Sequence, residues 1–157
     1  MSISVRRAGT DDAPELTRLR VQMFADMGRD VAALDEEWRA MVTDHFTERL
    51  ADVERFAGFV VDRAPGRLAA CSVGWLDRHL PSSFGGGGDV GHIANVSTDP
   101  AWRRRGYARA TMSALVEWMR TRDVQHVDLN ATSQGEGLYR SLGFSAQAMV
   151  ALRLRLR

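Results

Sequence analysis

Apolar residues recur along this chain with two periods, and the switches between them predict the elements. Ile3 and Val5 alternate with polar neighbours as a short strand, and Thr10-Asp11-Asp12-Ala13-Pro14-Glu15 follows with the capping residues and early proline of a helix start. Leu16, Leu19, Met23 and Met27 then recur at spacings of three and four, giving that helix one apolar face. A second helix is expected from about Leu34 to Leu50, with Trp38, Met41, Val42 and Phe46 on its inner side. Both stripes read as core rather than cofactor contacts.

Phe56 to Val61 and Leu68 to Trp75 are β-prone apolar runs, and Pro65-Gly66 between them predicts a hairpin. Pro81 to Asp89, with Gly85 to Gly88 in a row, has no backbone preference and reads as a mobile connecting loop. His92 to Thr98 is a strand, and a helix from about Gly106 to Thr121 turns Ala108, Met112, Leu115 and Met119 inward. Val127, Leu129 and Ala131 alternate as the next strand, so the crossover helix implies parallel pairing. Gln134 to Leu142 forms a short helix that ends on Gly143, a residue suited to a left-handed cap. The tail Val150 to Arg157 alternates strictly, as a strand with apolar side chains on the core and arginines in water. Strands and helices together predict a single α/β (α+β) domain over 1–157, a mixed sheet flanked by helices.

Composition narrows the function. A length of 157 residues suits one domain, and 45% hydrophobic with 26% charged residues is globular composition. A net charge of +1 provides no strongly basic field for nucleic acid, despite a basic set that is entirely arginine apart from four histidines. No run approaches the roughly 18 apolar residues of a membrane span and the N-terminal stretch lacks a signal-like apolar segment, so a cytoplasmic protein is expected. The lone Cys71 sits in an apolar run and reads as a small buried hydrophobe. His45, His79, His92 and His126 show no ligand spacing with Cys or carboxylates, so no metal is expected.

The chemistry concentrates where the strand ending in Thr98 turns through Asp99-Pro100-Ala101-Trp102 into Arg103-Arg104-Arg105-Gly106-Tyr107-Ala108. The unpaired N–H groups of a helix's first turn, a glycine that clears the approach and three arginines make an anion site that suits a pyrophosphate. A Walker A reading fails for want of Gly-Lys-Ser/Thr, and a Rossmann reading for want of its glycine pattern.

Arg103-x-x-Gly106-x-Ala108 after Ile93 to Pro100 resembles the acetyl-coenzyme A motif of the GCN5-related N-acetyltransferases. Gly137-Leu138-Tyr139-Arg140-Ser141-Leu142-Gly143-Phe144 resembles that family's second signature, and Val5-Arg6-Arg7-Ala8 with Thr10-Asp11-Asp12 its usual opening. The segment from about Met27 to Gly91 carries no family motif. The resemblance implies a mostly antiparallel sheet that parts into a V at acetyl-coenzyme A. It implies pantetheine on the strand at Val96, Ser97 and Thr98, and pyrophosphate on Arg103, Arg104, Arg105, Gly106, Tyr107 and Ala108. Asn130 and Thr132 are further candidates on the pantetheine side, although Thr132 also suits a helix cap.

Direct acetyl transfer to a small-molecule amine is the implied activity. An amine of pKa about 10.4 arrives protonated, so a base is useful, and the departing thiolate needs an acid. Tyr139 matches the family's general-acid position. His92 stands where the family often has Glu, and is the candidate base, acting through water. That departure keeps a second reading open, a non-catalytic module that senses acyl-coenzyme A. Trp38, Trp75, Phe84, Asp35, Glu36, Glu37 and Asp89 are candidates to receive an aromatic or cationic acceptor. Dimerisation is an expectation of the family.

Overall fold

The computed structural model describes residues 2–83 and 87–157. Phe84, Gly85 and Gly86, and with them the centre of the expected glycine loop, lie outside the described residues. The elements run β1 (Arg6–Arg7), α1 (Ala13–Asp26), α2 (Glu36–Ala51), β2 (Phe56–Ala64), β3 (Arg67–Arg78), β4 (Asp89–Thr98), α3 (Tyr107–Arg120), β5 (Val127–Leu129) and α4 (Glu136–Ser141), with short 3-10 turns before α1 and α3.

The strands lie in chain order in one sheet. β1, β2, β3 and β4 pair antiparallel in succession, and β5 joins β4 in parallel after the α3 crossover. This is the mixed sheet that the sequence pattern predicts, mostly antiparallel as the resemblance implies. The β2–β3 hairpin turns at Gly66, whose φ of +68° is a conformation open to glycine.

Two cores lie on the two faces of the sheet. On one, Leu16 and Leu19 of α1 and Phe46 and Leu50 of α2 pack over Phe56, Val60, Cys71 and Val73. On the other, Met112, Leu115 and Met119 of α3 are fully buried against Ala57, Leu76 and Ile93. Each of those α3 side chains contributes about 2 kcal/mol by leaving water, which makes that face of α3 the strongest anchor of the turn that precedes it. Gly74 and Gly91 let α3 settle close, because a Cβ at either would stand 2.6–2.7 Å from Met119.

Three expectations are corrected. The first strand falls on Arg6–Arg7, where Arg6 reaches both Asp12 and Asp62, rather than on Ile3 to Val5. Met41 is 49% exposed, because α2 meets the sheet mainly through Phe46 and Leu50 at its C-terminal end. The tail forms no strand. Val150, Leu152, Leu154 and Leu156 are 82–92% exposed, so the alternation there encodes a competence for pairing that this fold leaves unused.

Candidate active site

The site begins with an irregularity in β4. Ala94 faces Val73 and Ser97 faces Cys71, which leaves Asn95 and Val96 against Ser72 alone, a β-bulge. Asn95 carries the bulge in a left-handed conformation, φ 54°. Asparagine tolerates that region better than most residues. Its buried side chain is tied on both ends, accepting from Arg20 at 3.3 Å and donating to Cys71 Sγ at 3.6 Å.

Beside the bulge the sheet parts. β4 pairs with β5 only at Gly91, His92 and Ile93, after which the chain beyond Leu129 veers away towards α4. The edge of β4 from Ala94 to Thr98 is therefore uncovered, and a groove of about 1040 Å³ opens along it. This is the V that the resemblance implies.

The groove runs to the start of α3. Asp99 closes β4 and is buried, accepting from the Ala101 N–H at 3.1 Å and from Arg18 at 3.0 Å. Burial works against its charge, yet the Ala101 N–H, Arg18 and Arg63 together hold the carboxyl below the usual range. Arg104 and Gly106 then take left-handed φ values of 63° and 80°, and Gly106 caps α3 with no side chain over the first-turn N–H groups. Left-handed residues in the turn before a helix help to aim successive N–H groups into one concavity, which favours an anion.

The three arginines of this turn divide. Arg103 donates to Asp26 at 2.6 Å and to the Thr98 carbonyl at 3.3 Å, so its charge is already paired. Arg105 lies over the Trp102 ring at 4.8 Å and does not line the groove, contrary to the expectation from sequence. Arg104 lines it and has no carboxylate partner among the described residues. One free guanidinium thus faces the cradle where three were expected.

Val96, Ser97, Thr98, Gly106, Tyr107 and Ala108 all line the groove. Ser97 is 6% exposed with no hydrogen-bond partner for its Oγ among the described residues, an orphaned donor beside the cradle that fits a polar ligand. Asn130 and Thr132 line the opposite wall, where Thr132 Oγ1 accepts from the Gly135 N–H at 3.2 Å and so acts as a cap.

Tyr139 of α4 stands in the same wall, its ring edge-on to Phe144 at 6.2 Å. Gly135 makes room for it, since a Cβ there would lie 2.9 Å from the ring. Burial pushes the phenol above its ordinary pKa, so it keeps its proton at neutral pH. His92 borders the groove at the point where β4 and β5 part, its ring tilted by 40° against that of Trp75 of β3.

Sequence reasoning missed Met23, Asp26 and Met27, which line the groove from the end of α1. Their spacing is that of a core stripe, but α1 outruns the sheet and its last turn overhangs the cradle. Asn95 was read as an ordinary strand position, and an asparagine inside an apolar strand was the signal available. Among the described residues no cluster of His, Cys, Asp or Glu is arranged to hold a metal, and no helix is long and apolar enough to cross a membrane.

Residues 24–144 match the model of the acetyltransferase (GNAT) family, and the chain belongs to that family. Over 83 residues it is 36% identical to glucosamine 6-phosphate N-acetyltransferase 1 of Oryza sativa subsp. japonica, covering 53% of this chain and 48% of that protein. The chain thus spans about half the length of that relative. A GCN5-related N-acetyltransferase from Ralstonia eutropha JMP134 superposes with a TM-score of 0.80 at 27% identity, covering 98% of this chain and 99% of that one. A protein from Clostridium acetobutylicum described as a predicted acetyltransferase, crystallised with acetyl-CoA, gives 0.84 at 22% identity over 99% and 97%, a likeness of fold.

Proposed function

We propose that this chain binds acetyl-coenzyme A in the groove and transfers the acetyl group directly to an amine on a small molecule. The observation that carries the reading is the parting of β4 from β5 after Ile93, which opens β4 towards a helix start that has no side-chain cap and two left-handed residues, Arg104 and Gly106, in its turn. A strand edge suits the amide-rich pantetheine arm, and the α3 cradle with Arg104 suits the pyrophosphate.

In the reaction the neutral amine attacks the thioester carbonyl. A C–N bond forms, the C–S bond breaks, and the thiolate departs. Tyr139 supplies the proton the thiolate needs, and its raised pKa keeps that proton available. His92 takes the proton released by the amine, through water where the two do not touch. Membership of the acetyltransferase family and the name of the rice relative, which acts on an amine of a sugar phosphate, support the reading. The alternative, an acyl-coenzyme A sensor, predicts binding without turnover. Release of free thiol from acetyl-coenzyme A, followed over a panel of primary amines, distinguishes the two. Amine-dependent release is expected, and binding with no release from any amine favours the sensor.

A further inference from the structure

A second cavity, of about 400 Å³, lies on the other side of β4 between the sheet and the helices α1 and α2. That volume is within the ~300–1,000 Å³ range of small-molecule sites. Its walls are apolar and aromatic, with Phe46, Phe56, Val73 and Trp75 among them. No carboxylate lines it. The titratable groups that do are Arg20 from α1 and His45 and Arg49 from α2.

The two arginines differ from most of those packed on this fold. Arg6, Arg18 and Arg55 each meet a carboxylate. Arg20 instead donates to Asn95 Oδ1 and lies 4.8 Å over the Phe24 ring. Arg49 lies over Phe56 at 5.1 Å and Trp75 at 5.7 Å. Neither has a carboxylate partner among the described residues. Burial, with the charge of Arg29 adding to it, disfavours the Arg20 cation. For the half-buried Arg20, positive charge held against an apolar wall without a counter-charge is costly, and an anionic ligand relieves that cost.

Ala94 and Asn95 line both this cavity and the groove. The two spaces therefore share the bulge of β4 as a wall, where Arg20 is bonded to Asn95.

The geometry points to this cavity as the acceptor site, and to an acceptor that is a primary amine with an apolar or aromatic body and an anionic group, carboxylate or phosphate monoester, held by Arg20 and Arg49. The inference rests on the acetyl-transfer reading for the amine, whereas the anion site stands on the cavity alone. A hexosamine phosphate shares the anion and lacks the apolar body, so the preference for an aryl group belongs to this chain's own walls.

The test is calorimetric titration at constant ionic strength with 3-phenylpropionate, phenyl phosphate and the neutral 3-phenylpropionamide, in the wild type, Arg20→Gln and Arg49→Gln. Acetyl-coenzyme A is titrated in parallel. Saturable binding of at least one anion is expected, at least tenfold tighter than the amide and at least tenfold weaker in either variant. The tighter of the two anions identifies the headgroup. Arg49 is exposed on α2, so its variant keeps the fold, and unchanged acetyl-coenzyme A binding in it verifies this. No saturable anion binding, or anion binding unchanged from the wild type in both variants, overturns the anion site. Anion binding without acetyl-coenzyme A binding leaves the anion site standing and removes the acetyl-transfer reading.

Discussion

His92 lies against Trp75 with ring centroids 4.7 Å apart, one residue bordering the groove and the other the second cavity. The pair crosses from β4 to β3 at the point where the sheet parts, which puts the candidate base between the two spaces. His92→Gln keeps a planar polar side chain there and removes the imidazole. Turnover is expected to fall by about 10²-fold, within the range for a general base, while acetyl-coenzyme A affinity changes less than about twofold. Equal losses in both would make His92 a structural part of the groove.

Tyr139→Phe removes only the phenol oxygen from a ring held by Phe144 and by the space at Gly135. A loss of about 10²-fold or more in turnover with cofactor affinity retained is expected, and unchanged turnover removes Tyr139 from the mechanism. The pH profile carries a second check. An acid works in its protonated form, and burial raises this pKa, so the donor persists past the ordinary ~10 of a tyrosine. No tyrosine-dependent loss of rate is expected below about pH 10. By the same sign, any stability from burying the neutral phenol is complete below its unfolded pKa and is lost as pH rises through the folded one.

The turn before α3 separates charge from conformation. Gly106→Ala forces a Cβ into a left-handed position, φ 80°, at a cost of about 1–2 kcal/mol. It is expected to lower Tm by a few degrees and acetyl-coenzyme A affinity by about tenfold. Arg104→Gln keeps the backbone and removes the one free charge of the cradle, so affinity and its salt dependence fall together while Tm stays. Arg105→Gln, whose parent side chain lies on Trp102, is expected to change affinity less than Arg104→Gln.

How much of this was legible beforehand depends on the reach of each signal. The hairpin at Pro65-Gly66 and the parallel pairing across α3 were legible because turn residues and crossover length are local facts. The groove was legible through Gly106 and Tyr139, which lie in contiguous motifs. The second cavity was not, because Arg20, Arg49, Phe56 and Trp75 come from four elements and meet only in the fold. The bulge at Asn95 depends on the register of β3 against β4, which alternation alone leaves undetermined. The tail misled for a related reason. Its alternating leucines and arginines specify two faces of a strand but not what covers the apolar one.

Cys71 is fully buried between Val73 and Asn95, and burial pushes its thiol up to about 12. The native protein is therefore expected to show no reaction with a thiol reagent such as DTNB at pH 8, and one thiol per chain after unfolding. A thiol titrating in the native state would mean that the α1 face of the sheet opens readily.

The most direct measurement is calorimetric titration of the whole chain with acetyl-coenzyme A, set against dephospho and pantetheine fragments. Binding of one acetyl-coenzyme A per chain, weakened about tenfold or more by Gly106→Ala, is the result that the groove and its cradle predict. Absence of binding, or binding indifferent to Gly106 and Arg104, would contradict it.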